Sequence, residues 1–183
     1  MVNLLRNGSL VILLGLGISL VCMSQMVLAN NTKLTTQHIS GPVYAIIGEM
    51  GNRSAENLGN NANFGFIVGN TGVLLIDSGA GTQAAKAIEV QVRQTTSLPI
   101  TTVINTGGQD HRWLGNAYFA QQGARIIASS AAVADHDERA GDQIQGLTGA
   151  TGQNPMQNLE PVTADITFDQ TYTLNHAGLE IHI

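Results

Sequence analysis

Leu74-Leu75-Ile76-Asp77-Ser78-Gly79 is an apolar run that ends on an acid and a glycine, and an amphipathic segment follows it. Thr82 can cap a helix to about Gln94, with Ala84, Ile88 and Val92 at i, i+4 and i+8 on one stripe. Pro99 stops that helix, and Ile100 to Ile104 is the next β-rich run. A second helix is predicted around Leu114 to Gln122. A strand follows over Ala124 to Ala128, then a helix from a Ser129 cap to Arg139. Strand alternating with helix restricts the chain to layered α/β folds.

Upstream, Val43 to Ile47 and Phe64 to Val68 are short β-rich runs separated by an Asn- and Gly-rich loop. Gly69-Asn70-Thr71-Gly72 signals a hairpin into Val73 to Ile76. These strands are nearly continuous in apolar residues, so both faces of their sheet should be covered. Downstream, Gly141 to Asn158 reads as a long polar loop. Ile166 to Phe168, Tyr172 to Leu174 and Leu179 to Ile183 read as strands, with a turn at Asn175-His176-Ala177-Gly178.

Residues 1–29 read as an export signal. Arg6 supplies the positive start, Ser9 to Val21 an apolar stretch too short to span a bilayer comfortably, and Val27-Leu28-Ala29 a small-residue cleavage pattern. The expected product is exported, periplasmic or secreted. The other reading is an uncleaved anchor, the one route by which this chain would meet a membrane. Residues 30–42 form a mature N-terminal segment, loose to about Gln37, and residues 43–183 form the domain. The only cysteine, Cys22, leaves with the signal, so no thiol remains for a disulfide, a nucleophile or a metal. Of 8 Lys plus Arg, Arg6 leaves too, so 7 basic residues face 13 acidic ones, a formal charge of −6. With no basic run, nucleic acid is not an expected partner.

The motif-bearing stretch is Val103-Ile104-Asn105-Thr106, then Gly107-Gly108-Gln109-Asp110-His111-Arg112-Trp113-Leu114, then Gly115-Asn116-Ala117-Tyr118-Phe119. With the Ile76-Asp77-Ser78-Gly79 strand end, it resembles the first half of the metallo-β-lactamase superfamily, and within it the exported zinc-metallohydrolase subgroup linked to quinoprotein relay systems. The resemblance implies an αββα sandwich, here incomplete at its C-terminus. In that family Asn-Thr is followed by His-x-His-x-Asp-His and Gly-Gly-Asn. Laid on without a gap, the family histidines fall on Gly107, Gln109 and Arg112, and the aspartate on His111. With a one-residue slip, Asp110-His111 takes the Asp-His role, and the first two histidines fall on Thr106 and Gly108. Both versions lose the His-x-His pair.

By that resemblance zinc is the implied cofactor. Asp110 and His111 are the candidate metal ligands, Asp110 is the candidate catalytic group, and Asp77 is a carboxylate supporting the loop. The plain alternatives are loop residues bonding each other for Asp110 and His111, and a structural carboxylate accepting backbone N–H groups for Asp77. Trp113 beside Arg112 allows a cation–π lid, although packing at a helix start is the better reading. Gly107-Gly108 allows close backbone approach to a ligand, or is a flexible loop. Asp135-His136-Asp137 has metal-ligand composition, but consecutive helical positions point apart, so it reads as a solvated face. His38, His176 and His182 are isolated and carry no assigned role. Gly79-Ala80-Gly81 lacks the third glycine of a dinucleotide fingerprint.

Two functions follow. One is an exported hydrolase whose metal-activated water attacks an ester, thioester or amide of a small molecule. The other is a non-catalytic binding or accessory domain that has lost its metal site. An incomplete sheet would also leave an edge open to pairing with a partner.

Overall fold

The computed structural model describes residues 33–183, so the expected signal segment lies outside the described residues. A seven-stranded sheet carries its strands in sequence order. Four come first, β1 (Thr35–Ser40), β2 (Val43–Ile47), β3 (Phe64–Val68) and β4 (Val73–Ile76). They pair antiparallel, with Gly65 opposite Ile76 and Val68 opposite Val73 across the hairpin. Three parallel strands continue the sheet, β5 (Ile100–Asn105), β6 (Arg125–Ser129) and β7 (Ile166–Phe168). Helix α1 (Thr82–Arg93) connects β4 to β5. Helices α2 (Asp110–Trp113) and α3 (Asn116–Gln121) connect β5 to β6, and α4 (Ser130–Thr151) leaves β6 towards β7. A separate hairpin, β8 (Thr173–His176) with β9 (Leu179–His182), follows.

Alternation along the strands explains the two packed faces. Val73, Leu75, Val103 and Ile126 point to the helical side and meet Ile88 and Val92 of α1. Leu74, Ile104 and Ile127 point the other way and meet Leu174 of β8. Both faces are covered, as the apolar runs require. Among the described residues, no helix is long and apolar enough to cross a membrane.

Several expectations are corrected. Residues 35–40 are not a loose terminus outside the domain. They form β1, paired with β2, and Thr36 Oγ1 lies 3.1 Å from Gln91 Oε1. An edge strand can be polar because only one of its sides is bonded, which is why an apolar pattern does not mark it. Thr82 is not the cap: Gly81 holds the N-cap position, Thr82 is the first residue of α1, and its hydroxyl donates to Met156 O at 2.7 Å. The helix expected around Leu114 to Gln122 is α3, and the unexpected short helix α2 precedes it; they are separated at Gly115, where a Cβ would stand 2.0 Å from Ser78 O. The last turn is Ala177-Gly178 alone, both at positive φ as two-residue hairpin loops require. Asn175 and His176 belong to β8.

The largest correction concerns the predicted loop from Gly141. Helix α4 starts at the expected Ser129 cap, whose side chain accepts from Ala132 N at 3.1 Å, but continues to Thr151. It ends at Gly152 in the left-handed region. Ala140, Ile144 and Leu147 keep one apolar face on Trp113 and Met156 through the glycine-rich part. Tertiary packing therefore outweighs the weak helix propensity of Gly141, Gly146 and Gly149. Replacing Leu147 by Ala should cost about 2–5 kcal/mol in urea unfolding, as for a buried leucine. If residues 141–158 were a surface loop, the change would stay within about 0.5 kcal/mol.

Candidate functional site

The site lies where the sheet register brings loops together. β2 ends beside the start of β3, and β4 ends beside that same start, with Ile46 opposite Phe64 and Ile76 opposite Gly65. Parallel pairing places the ends of β5 and β6 on this edge too. The loops after β2, β4 and β5 therefore converge, at the carboxyl ends of strands where α/β sites gather.

Asp77 sits at the end of β4 with φ 63, a strained conformation for a non-glycine residue. Its Oδ1 accepts from Thr106 N at 2.8 Å, and its Oδ2 is 2.8 Å from Thr106 Oγ1. Burial raises its pKa against the opposing pull of those Thr106 bonds. Arg112 donates to Thr106 Oγ1 at 2.6 Å, so a guanidinium backs this carboxylate through the threonine. The carboxylate thus ties the end of β4 to the start of the loop after β5.

Asp110 opens α2 and is 7 % exposed. One oxygen, Oδ1, takes three contacts: Arg53 Nη2 at 2.5 Å, His111 N at 2.7 Å and His111 Nδ1 at 3.2 Å. Burial pushes its pKa up, but the His111 bonds and the Arg53 charge outweigh burial and hold it low. The Arg53 nitrogen is also 3.5 Å from His111 Nδ1. Asp110 and His111 thus bond each other, with the Arg53 guanidinium on the carboxylate.

Sequence reasoning missed Arg53. The signal was present: it is the only basic residue in the Asn- and Gly-rich stretch between β2 and β3. Nothing local said which carboxylate it would reach, because its partner is 57 residues away.

A second group comes from α4. His136 is fully buried, contrary to the solvated face expected for Asp135-His136-Asp137. It stacks on Trp113 at 4.3 Å between centroids and 13° between planes, and its Nε2 is 3.1 Å from Gly107 O. Asp135 does take the polar side, paired with Arg139 one turn on. Gly108 O accepts from Gln143 Nε2 at 2.7 Å and from Arg139 Nη2 at 3.2 Å. Trp113 donates to Gln143 Oε1 at 2.8 Å, so it packs rather than forming a lid with Arg112. A Cβ at Gly108 would overlap the Asp135 carboxylate, so the glycine lets α4 close on the loop. His176, assigned no role, is also buried, with Nδ1 3.1 Å from Thr102 Oγ1.

A hollow of about 640 Å³ opens beside this cluster, with Asn52, Arg53, Asp110, Arg139, Asp142 and Gln143 on its walls. Asp77 and His111 are not among its lining residues. A zinc centre requires three or four protein donors around one ion. Among the described residues, no three His, Cys, Asp or Glu side chains are grouped to hold a metal. Asp77 turns its oxygens to Thr106, and Asp110 Oδ1 is already saturated. The residues present do not fit the implied zinc site.

No protein-family model matches this chain, and no curated protein does. Solved structures do. A metallo-β-lactamase from Pontibacter korlensis superposes with a TM-score of 0.60 at 16% identity, covering 82% of this chain and 59% of that one. The metallo-β-lactamase FIM-1 from Pseudomonas aeruginosa, in its mono-zinc form, superposes at 0.51 and 16% identity, covering 74% and 50%. These likenesses establish the metallo-β-lactamase fold, with this chain spanning 59% and 50% of the two structures. Among the described residues, the second sheet of that sandwich consists of β8 and β9 alone.

Burial lowers the pKa of both His136 and His176 below 6.5. Each must stay neutral when folded but can charge when unfolded. The stability tied to that neutrality is therefore complete above about pH 6.5 and is lost as pH falls through the folded values. The urea midpoint should drop between about pH 7 and pH 5, and His136→Gln should flatten that drop. An unchanged slope in the variant would place the titration elsewhere.

Proposed function

We propose that this chain is a binding or accessory domain on a metallo-β-lactamase fold, working without a metal centre. The observation that supports this most is the fate of the Asp110–His111 pair. It meets the Arg53 guanidinium where a third donor would be needed. The hollow bordered by Arg53, Asp110 and Asp142 is the place this reading gives to a small polar ligand. Its walls are charged and amide-bearing, so orientation would come from hydrogen bonds rather than apolar burial. Export, with residues 1–29 as the signal, belongs to the same proposal.

The competing reading keeps the hydrolytic chemistry of the fold on an ester, thioester or amide. One fold hosts many functions, so the fold does not decide between them. What favours hydrolysis is the Asp110 carboxylate, buried yet held ionised next to an imidazole.

Metal content separates the two. Residues 30–183, loaded with zinc, iron or manganese and then dialysed, should retain far less than one ion per chain. Stoichiometric retention of any of the three, lost in Asp110→Asn, would overturn the binding-domain reading and restore the hydrolase.

A further inference from the structure

We infer that Arg53 is a built-in cation: its guanidinium occupies the Asp110–His111 pair and does there the structural work of a bound ion. This deepens the binding-domain reading and rests on it. Three observations carry it. The Arg53 nitrogen contacts both members of the pair, at 2.5 Å from Asp110 Oδ1 and 3.5 Å from His111 Nδ1. The pair is sheltered, with the Asp110 side chain 10% and the His111 side chain 15% exposed, so its charge is poorly served by water. Finally, Arg53 comes from the β2–β3 loop and Asp110 from α2, so the contact ties two loops that share no backbone hydrogen bond.

A metal in such a place would neutralise the carboxylate and join the loops. The guanidinium does both, being planar, permanently charged and more weakly hydrated than an ammonium. A divalent ion at Asp110 Oδ1 would have to displace the Arg53 bond or bear its repulsion. The loop from Asn52 to Asn61 would thus be latched onto α2 by this contact, which also fixes one wall of the hollow.

The test uses the purified full chain and its Arg53→Gln, Arg53→Lys and Arg53→Gln/Asp110→Asn variants, each melted with and without zinc chloride. Arg53→Gln should melt about 5 °C below the parent, the range for losing a partly buried charged hydrogen bond in a domain of this size. The double variant, with no carboxylate left to neutralise, should recover part of that loss, and zinc should leave the parent unmoved. Arg53→Lys, which keeps the charge on a shorter stem, should fall between the parent and Arg53→Gln. If Arg53→Gln does not fold, the Lys variant is read by the same signs.

Arg53→Gln melting within about 1 °C of the parent would overturn the inference. So would a double variant that melts no higher than Arg53→Gln, since the loss would then owe nothing to an unneutralised Asp110. Zinc retained by the parent after dialysis is a different outcome, which defeats the metal-free reading on which the inference stands.

Discussion

The site depends on one backbone joint. The chain leaving β4 pairs with the turn of α2: Ser78 N donates to Arg112 O at 3.0 Å, Gly79 N to His111 O at 2.9 Å, and Gly115 N to Gly79 O at 2.9 Å. Asn105, at the end of β5, donates its amide to the same Arg112 carbonyl at 2.7 Å and exchanges bonds with Asn116. These are buried groups, so leaving them unpaired would be costly. The joint sets where Asp110 and His111 stand relative to Asp77. It also explains two glycines: Gly79 takes a positive φ, and Gly115 has no room for a Cβ beside Ser78.

Two carboxylates and two guanidiniums surround that joint. Asp77 answers to Arg112 through Thr106, and Asp110 answers to Arg53 directly. The two acids nevertheless shift in opposite directions. Burial wins at Asp77, whose bonds come from a neutral threonine, and raises its pKa. At Asp110 burial is also the largest influence, yet the imidazole bond and the adjacent cation together overcome it. A direct charge contact and an indirect one thus move the pKa of similar groups in opposite directions.

Much of the frame was legible in the sequence. Apolar runs bounded by glycine and proline marked β2 to β6, and the Ala84–Ile88–Val92 spacing marked α1. The four-residue α2 was not expected, and two longer stretches escaped because each lacked a local pattern. β1 is polar because it is an edge, and the second half of α4 is glycine-rich but held by Leu147. At the site, Asp77, Asp110 and His111 were legible because a motif carries them. Arg53 and His136 were not, since their roles come from partners 57 and 29 residues away. Sequence spacing reports neighbours along a helix or strand, and these contacts are made between elements.

The Gly107-Gly108 loop shows how the scaffold persists with so few metal donors. In the family this chain resembles, the loop supplies histidines, and an ion would tie it down. Here it presents carbonyls instead. His136, Arg139 and Gln143 on α4 reach those carbonyls from one side. Trp113 stacks on His136 and bonds Gln143, locking α2 to the same helix. A loop fixed through its backbone acceptors does not need side-chain donors to stay in place. The long α4, with its buried Leu147, is then the element that holds the loop. A side chain at position 108 would run into the Asp135 carboxylate, so Gly108 is part of the attachment.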